Sequence, residues 1–495
     1  MQHLEIHDEL PRLLGEAADA SGFEIYLVGG YVRDVLMRRA TKDIDISVVG
    51  DGVAFARLLA DVLHGSKLVV FERFGTARLE VRGVEIETVG TRTEVYDEAS
   101  RKPVVSNGTI DDDLRRRDFT VNAMAVALNA ANFGLLRDPF NGVADIDKKI
   151  LRTPLDPETT FSDDPLRMMR ACRFAAQLQF HLSATTRHGI EHMNERISIV
   201  SMERIRDEFK KTLAAPKPSI GLALLMELGL LRHFLPDLHA LAGVDQRSIE
   251  YPDGTRNFHH KDVFYHTLRV VDNVAKVSDD LRLRWSALLH DIAKPQTKSF
   301  SPEHGWSFHG HAEIGARRVK RIFRHLRLPH EDIHFIEKLV ALHLRPMALV
   351  DEGVTDSAMR RLLFDAGEHI DALIQLCRAD ITSKNPKLVQ KYLRNYESLV
   401  EKLKEVEEKD RLRSWQPPLS GDDIMRLCGV QAGIVVGVLK TRIEDAILDG
   451  LIPNDRDAAI EYLRSIQDEV LSAPRLEKTK SRKSMLAELP PELRV

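Results

Sequence analysis

The stretch LVGGYVRDVLMRRATKDIDISVVG, residues 27–50, is the most informative about the class of fold. It contains the end of an apolar strand, a Gly29–Gly30 pair, a short helical segment and a second strand with alternating apolar residues. A glycine turn between a strand and a helix lets backbone N–H groups approach an anion closely. Arg33 follows three residues later, so it faces the same end of the helix and can pair with a phosphate.

The second strand carries Asp43 and Asp45, two residues apart, so both carboxylates point to one face. Oxygen ligands of this kind suit Mg²⁺, and two such ions activate an attacking hydroxyl and stabilise a leaving pyrophosphate. A later strand, GVEIETV, offers Glu85 and Glu87 as a third carboxylate, and we favour Glu87. An isolated pair of aspartates is more often a solvated strand edge, but the upstream glycine turn and Arg33 favour a site.

Size and composition limit the classes of protein. A chain of 495 residues with 43% hydrophobic residues allows several packed cores. The net charge of −4 excludes a uniformly basic coat, so RNA contacts require local basic patches or metal ions. The three cysteines form no CxxC pair, which argues against a disulfide framework or a cysteine zinc site. No apolar run is long enough for a membrane helix and no signal peptide is evident, so we expect a cytoplasmic protein without a membrane partner.

The pattern along the chain changes near residue 151. The first ~150 residues alternate strands and helices, and residues 66–90 are expected to form two strands joined by turns. From there the pattern is helical, with a boundary in the turn-rich segment YPDGTRNFHHKD near residue 250. The charged segment 391–414 is expected to be a solvated helix and the basic tail after residue 474 to be mobile. The polar segment 94–113 is interpreted as a mobile loop near the site.

A second cluster lies in DDPLRMMR, where Asp164, Arg167 and Arg170 are three residues apart and are expected to share one helical face. An aspartate accepts hydrogen bonds and an arginine donates them, so such a pair can imitate the pairing edge of a nucleotide. An intrahelical ion pair on a solvated face is the alternative. The upstream arginine run that ends at Arg117 abuts the first site, which favours phosphate binding.

These segments resemble the polymerase-β-like nucleotidyltransferases and, more narrowly, the bacterial CCA-adding enzymes and poly(A) polymerases. The resemblance covers residues 23 to 235 most clearly and is carried by four blocks in addition to the glycine turn: RRDFTVNA (116–123), LRDPFNGVADIDKKILR (136–152), SDDPLRMMRACRFAAQL (162–178) and SMERIRDEF (201–209). It implies that Asp164 and Arg167 select the base and that Arg117 and Arg170 contact the incoming nucleotide. In CCA-adding enzymes the loop matching 94–113 is linked to the change from C to A.

The histidine-rich middle of the chain resembles an HD-type metal hydrolase domain. Imidazole and carboxylate ligands from separate helices suit a transition-metal ion that activates water. The family pattern can be filled by six residues, with His309 as an alternative to His311: His266, His290, Asp291, His311, His343 and Asp380. A single buried histidine is usually a core residue, but the His290–Asp291 pair after an apolar helix favours the metal site. Such ligands can also persist in a domain that only supports RNA.

The resemblance implies an α+β fold: a polymerase-β-like head followed by an all-helical neck, an HD domain and a helical C-terminal tail. The domain limits expected are 1–152 for the head, 153–250 for the neck, 251–385 for the HD domain and 386–495 for a tRNA-binding tail. The expected reaction is addition of CCA, from CTP and ATP, to the 3′ end of tRNA with Mg²⁺ as cofactor. The rivals are addition of A or C alone, a poly(A) polymerase, an HD phosphohydrolase with an RNA-binding head, and a pure RNA-binding protein. The sequence leaves the oligomeric state undetermined.

Overall fold

The computed structural model describes residues 2–41, 43–64, 66–72, 75–95, 104–244, 262–301, 305–350, 355–383, 385–410 and 418–472. The chain forms two compact units, residues 1–340 and 341–495. Among the described residues, no helix has both the length and the apolar character needed to cross a membrane.

The head is built on a mixed seven-stranded sheet. Its strands are β1 (Glu24–Val28), β2 (Ile44–Val49), β3 (Ser66–Phe71), β4 (Thr76–Val81), β5 (Val84–Gly90), β8 (Ala125–Ala127) and β9 (Leu136–Arg137). They lie in the order β3-β4-β5-β2-β1-β8-β9, and only β2 and β5 run parallel. A separate antiparallel pair consists of β6 (Arg92–Val95) and β7 (Val104–Asn107).

The prediction of two strands in residues 66–90 is wrong, because this segment forms the three strands β3, β4 and β5. Two turns divide it, one at Gly75 and one at Arg82–Gly83, and all three residues have positive φ angles. Apolar residues alternate on both sides of the second turn, but the phase of the alternation shifts by one residue at Arg82–Gly83, and this break marks where β4 ends and β5 begins.

Helices cover the sheet and bury its apolar residues. In the head they are α1 (Glu9–Ser21), α2 (Gly30–Leu36), α3 (Gly52–Val62), α4 (Ile110–Arg115) and α5 (Gly142–Asp147). The predicted N-terminal amphipathic helix is confirmed as α1, whose buried face includes Leu10 and Leu14. These residues join Ile25, Leu27 and Phe55 in one apolar core beneath the sheet. The core fixes β1 and β2, and the site lies where these two strands approach α2 and α4.

The neck is helical apart from one small strand pair. Its helices are α6 (Pro157–Asp163), α7 (Leu166–Leu178), α8 (Ala184–Met193), α9 (Met202–Leu213), α10 (Pro218–Glu227), α11 (Leu231–Phe234) and α12 (Pro236–His239). The strands β10 (Ile150–Leu151) and β11 (His181–Leu182) pair in parallel between them. The predicted α+β fold class, with a mixed sheet in the head before helical regions, is confirmed.

The described residues of the HD region that precede residue 343 form five helices and a short hairpin: α13 (Val263–Ala275), α14 (Leu281–Leu289), α15 (Lys294–Thr297), β12 (Ser299–Ser301), β13 (Gly305–Ser307), α16 (His311–His325) and α17 (Ile333–Leu342). Arg284 on α14 is buried and donates to the carbonyl oxygens of Leu213 and Ala215, at 2.9 and 3.0 Å. These carbonyls lie at the end of α9, so Arg284 caps that helix from the HD side.

The second unit is wholly helical in its described residues, with α18 (Arg345–Ala348), α19 (Asp356–Ala366), α20 (Ile370–Asp380), α21 (Pro386–Asp410), α22 (Gly421–Cys428), α23 (Ile434–Leu448) and α24 (Arg456–Ser472). The charged segment expected to be a solvated helix is only partly so. Within α21, Tyr396, Leu399 and Leu403 are buried at helical spacing while most charged residues are exposed. The helix is therefore amphipathic and belongs to the core of its unit.

Candidate functional site

The glycine turn predicted from the sequence joins β1 to α2. Gly29 has a φ angle of 68°, which favours glycine, and Gly30 begins the helix. A Cβ atom on Gly29 would lie 2.8 Å from Nη1 of Arg117 and 3.4 Å from Oδ2 of Asp45. Two residues from other elements therefore approach the turn closely, and only glycine leaves room for both.

The carboxylates lie beside this turn. Asp45 on β2 and Glu87 on β5 are register partners in the parallel pair, and Asp43 directly precedes β2 and is exposed. Burial raises the pKa of Asp45; Arg117 lowers it, and the negative charges of Glu87 and Asp43 raise it further. Glu85 is two residues away from this register position, and Arg78 contacts it at 3.3 Å and Glu87 at 3.2 Å. The carboxylates of Asp43, Asp45 and Glu87 thus repel one another beside the inner strands β2 and β5 of the sheet.

Arg117 is held in place by a residue that the sequence analysis did not select. Asp113 on α4 is buried and accepts hydrogen bonds from Arg116 at 2.8 Å and from Arg117 at 2.9 Å. Although burial opposes ionisation, Arg117 and Arg116 lower the pKa of Asp113. Spacings of three and four residues between an aspartate and an arginine run are the signal that could have identified this clamp.

Arg33, expected to meet phosphate, is buried and engaged by protein groups. Its Nε and Nη2 atoms donate to Asp34, both at 2.9 Å, and Nη1 donates to Oδ1 of Asn122 at 2.8 Å. Asn122 donates in turn to Asp118 at 3.0 Å, and Asp118 accepts from Arg170 on α7 at 2.8 and 2.6 Å. This chain of contacts links the glycine turn to the neck helix that carries the second predicted cluster.

The expectation that Asp164, Arg167 and Arg170 share one helical face is wrong for Asp164. This residue lies between α6 and α7 in an extended conformation, with φ −144° and ψ 99°, because Pro165 disfavours a helical conformation in the residue before it. Its carboxylate accepts from the backbone N–H of Leu166 at 3.2 Å and from Arg204 at 2.8 Å.

Arg167 lies at the start of α7 and donates to the backbone oxygen atoms of Arg116 at 2.6 Å and Thr160 at 3.3 Å. The Asp164 carboxylate and the Arg167 guanidinium therefore have separate partners, rather than the intrahelical ion pair that was the alternative interpretation. Arg167 also connects the neck to the arginine run of the head, next to Arg117. Their role in base selection stays a prediction.

The first unit brings together four of the six residues of the predicted HD set. The Asp291 carboxylate lies 3.2 Å from Nε2 of His290, 3.3 Å from Nε2 of His311 and 3.6 Å from Nε2 of His266. Lys294 contacts it at 2.7 Å. Although burial opposes ionisation, His290 and Lys294 hold the pKa of Asp291 well below its usual range. All four residues of the set are buried.

Hydrogen bonds to backbone carbonyls set the tautomers of two of these histidines. Nδ1 of His290 lies 2.7 Å from the carbonyl oxygen of Ala287, and Nδ1 of His311 lies 2.7 Å from that of Phe308. A carbonyl oxygen only accepts, so Nδ1 carries the proton in each ring and Nε2 faces Asp291. This arrangement is typical of histidines that ligate a metal ion through Nε2.

Three further residues belong to the HD prediction: His309, His343 and Asp380. His309 is exposed and His311 is buried beside Asp291, which favours His311 for that position. His343 and Asp380 belong to the second unit. There His343 is buried and its backbone oxygen accepts from the Cys377 thiol at 3.1 Å, and Asp380 ends α20.

Three expectations concern residues outside the described ranges. These are the centre of the predicted mobile loop (96–103), most of the predicted boundary segment near residue 250 (251–261) and the basic tail (473–495). The prediction of a loop over residues 94–113 is wrong for most of its described part, because residues 94–95 and 104–107 belong to the antiparallel pair β6 and β7 and residues 110–113 belong to α4.

Three known protein families match separate parts of the chain. Residues 25–152 match the poly A polymerase head domain, residues 179–241 match the family described as "Probable RNA and SrmB- binding site of polymerase A", and residues 263–384 match the HD domain. The solved structure of the Bacillus stearothermophilus CCA-adding enzyme in complex with CTP is similar in fold, with a TM-score of 0.61 at 24% identity over 92% of this chain and 97% of that one. The Thermotoga maritima CCA-adding enzyme complexed with tRNA gives 0.57 at 22% identity over 94% and 99%.

Two curated relatives match nearly the whole chain. The A-adding tRNA nucleotidyltransferase of Deinococcus radiodurans is 32% identical over 445 residues, which cover 87% of this chain and 93% of the relative. The CC-adding tRNA nucleotidyltransferase of Thermus thermophilus is 30% identical over 445 residues, covering 88% and 92%. The chain therefore belongs to the family of tRNA nucleotidyltransferases and poly(A) polymerases that carry an HD domain.

Proposed function

We propose that the chain adds nucleotides without a template to the 3′ end of tRNA, and that its product is the complete CCA sequence made from CTP and ATP. The observation that carries the proposal is the convergence of the glycine turn and Arg117 with the carboxylates Asp45 and Glu87 on the neighbouring inner strands β2 and β5 of the head sheet. The relatives support tRNA as the acceptor, because both are tRNA nucleotidyltransferases. Domain limits of 1–152, 153–250, 251–385 and 386–495 remain part of the proposal.

The carboxylates fit a divalent cation. Asp43, Asp45 and Glu87 offer oxygen atoms on adjacent strands, and their mutual repulsion adds to burial in raising the pKa of Asp45. A dication would offset this repulsion, and oxygen ligands are those Mg²⁺ prefers. Mg²⁺ held by these residues would lower the pKa of the attacking hydroxyl and neutralise charge on the phosphates.

In the proposed reaction the 3′-hydroxyl oxygen of the RNA bonds to the α-phosphorus of the nucleoside triphosphate. The bond from that phosphorus to the leaving oxygen breaks, and pyrophosphate departs. Arg117, aimed at the glycine turn and fixed by Asp113, provides positive charge for the phosphates, with Gly29, Gly30, Arg33 and Arg170 completing the proposed nucleotide-binding set. Asp164 and Arg167 provide the acceptor and donors that select the base.

The test is primer extension on a tRNA transcript that lacks its last three nucleotides, with CTP alone, ATP alone and both, in the presence of Mg²⁺. We expect two C residues from CTP alone and a terminal A only when ATP is also present. Extension that stops after two C in all mixtures would replace the proposal by CC addition. A single A added only to a primer ending in CC would indicate an A-adding enzyme, and long A tails on unrelated RNA would indicate a poly(A) polymerase.

A second activity is favoured by the geometry of the HD region. Nε2 atoms of His290 and His311 face one carboxylate of Asp291, and this donor set suits a transition-metal ion that activates water. We infer a phosphohydrolase activity from the set His266, His290, Asp291, His311, His343 and Asp380. Hydrolysis of bis(p-nitrophenyl) phosphate after addition of Ni²⁺, Co²⁺ or Mn²⁺ is the expected result. Absence of hydrolysis with every metal would leave a structural role for this region.

A further inference from the structure

Phe174 lies at the centre of the arginines that connect the head to the neck. It is on α7, is 6% exposed, and meets Phe119 edge-on with the ring centres 5.8 Å apart. Three guanidinium groups lie over its ring: Arg173 with its Cζ 3.9 Å from the ring centre, and Arg33 and Arg170 each at 5.4 Å. One aromatic ring therefore contacts cations from both the glycine-turn helix α2 and the neck helix α7.

Each of these arginines also has a carboxylate partner. Arg33 pairs with Asp34, and Arg170 pairs with Asp118. Arg173 pairs at 2.5 Å with Glu208 of α9, which is buried. The three cations are thus matched by three anions, and Phe174 occupies the space among the cations. Because each guanidinium group is paired with a carboxylate, the ring contacts three cations while the cluster as a whole carries no net charge.

The arginines repel one another when they are not held. Burial lowers the pKa of Arg173, and the neighbouring charge of Arg170 lowers it further. The face of an aromatic ring carries negative potential and attracts guanidinium groups, whereas an aliphatic side chain of similar volume does not. The ring therefore adds an attraction for all three guanidinium groups to the ion pairs that hold each of them.

We propose that Phe174 is a positioning residue for nucleotide binding, a role that rests on the proposed nucleotidyl transfer. Phe174 acts by fixing the guanidinium groups of Arg33 and Arg170 relative to each other. Arg170 lies one helical turn after Arg167, and Arg33 lies one helical turn after the glycine turn next to Asp45. The ring thereby sets the spacing between the residues that select the base and the carboxylates where the chemistry occurs. Phe174 itself is buried and does not touch the nucleotide.

The test compares Phe174→Leu with Phe55→Leu. Phe55 is a matched control because it is fully buried in the head and also has a single described aromatic neighbour, Phe23, at 5.3 Å. Within the described part of the chain no cation lies over the Phe55 ring. Both variants are assayed by primer extension at a temperature where each is folded, with KM and kcat measured separately for CTP and ATP.

We expect Phe174→Leu to raise the KM for both nucleotides about tenfold and to change the ratio of CTP to ATP use, because the arginines lose their common support. Both variants are expected to lower the melting temperature by similar amounts, because each removes a buried ring, but Phe55→Leu should leave KM unchanged. Phe174→Tyr, which keeps the ring, is expected to retain a KM within about threefold of the wild type.

Incorporation of 3,4,5-trifluorophenylalanine at position 174 separates the electrostatic role of the ring from its packing. Fluorine weakens the negative face while nearly preserving shape, so we expect KM to rise several-fold with little change in melting temperature. Equal kinetics for Phe174→Leu and Phe55→Leu, or an unchanged KM in the fluorinated protein, would overturn the proposal. Failure of the wild type to extend any primer would instead contradict the proposed function.

Discussion

The two candidate sites of the first unit differ in how exposed their carboxylates are and in the direction in which the carboxylate pKa is shifted. In the head, Asp43 is exposed and Glu87, on the inner strand β5, keeps 45% of its side-chain surface exposed. In the HD region, His290 and Asp291 are each 1% exposed and their partners are set by neighbouring helices. The pKa of Asp45 is raised, and that of Asp291 is lowered.

This difference shows how burial and charged partners together define a site. The head carboxylates repel one another, and Arg117 and Arg78 offset only part of that repulsion, which suits a site that binds a further cation with a triphosphate. Asp291 already faces histidines and Lys294, which suits a pre-organised centre. The first site is therefore expected to depend strongly on added ions and substrate, and the second on the integrity of the helical core.

The largest effects should come from removing one carboxylate of each site. Asp43→Ala is expected to lower the rate of nucleotide addition about a thousandfold or more, because one of the carboxylates proposed to hold Mg²⁺ at the phosphates is lost. The melting temperature should hardly change, since Asp43 is exposed. Primer extension and thermal unfolding measure the two properties.

Asp291→Asn is the reciprocal variant and serves as the control. It is expected to abolish phosphodiester hydrolysis while nucleotide addition stays within about twofold of the wild type below the melting temperature. Parallel loss of both activities in either variant would show that the two sites are not independent.

An intermediate effect is expected from Gly29→Ala. The new Cβ would lie 2.8 Å from Nη1 of Arg117, so the guanidinium must move away from the turn. We expect kcat/KM for nucleotide addition to fall about ten- to a hundredfold, together with a loss of about 1–2 kcal/mol of stability from the positive φ angle. Steady-state kinetics and urea unfolding provide the two measurements.

Gly22→Ala shares with this variant only a positive φ angle. Gly22 lies in the left-handed region, with φ 73° and ψ 20°, and has no atom within 4 Å of its Cβ position, whereas Gly29 combines φ 68° with ψ −129°. Stability should fall by less than in Gly29→Ala, because alanine reaches the left-handed region more readily, and nucleotide addition should be retained. If Gly29→Ala kept full activity, close approach of Arg117 to the turn would not matter for catalysis.

The smallest effect concerns acid stability. Burial opposes ionisation of Asp118, but Arg170 and Asn122 lower its pKa in the folded protein. A lowered pKa contributes stability above the unfolded value of about 3.9, and this contribution is lost as the pH falls through the folded pKa. The difference in melting temperature between wild type and Asp118→Asn should be constant above about pH 5 and should shrink below about pH 4.

An Arg170→Met background tests the cause of this dependence. In this background the effect of Asp118→Asn on the melting temperature should vary less with pH, because the positive charge of Arg170, which lowers the pKa of Asp118, has been removed. A melting-temperature difference that stays the same from about pH 7 down to about pH 3.5 in the wild-type background would contradict the assignment.

Much of the head and of its site could be predicted from the sequence because the relevant residues are close together along the chain. Gly29, Arg33, Asp43 and Asp45 lie within one strand–turn–helix–strand unit, where local periodicity sets which side chains share a face. The division of residues 66–90 into three strands was missed, although the apolar alternation shifts by one residue at the turn of Arg82 and Gly83, both of which have positive φ angles. The extended conformation of Asp164 was foreseeable from Pro165, although the helical spacing concealed it.

The fold class, the glycine turn, the pairs of acidic residues and the histidine–aspartate pattern follow from the sequence alone, because they depend on spacing and residue chemistry. Which groups meet across elements is settled by the packing of the folded chain. The Asp113 clamp on Arg117, the contact of Arg204 with Asp164 and the three arginines around Phe174 join residues up to 141 positions apart. Such contacts arise when buried charges must find partners among helices packed by the apolar core, and no local pattern records that choice.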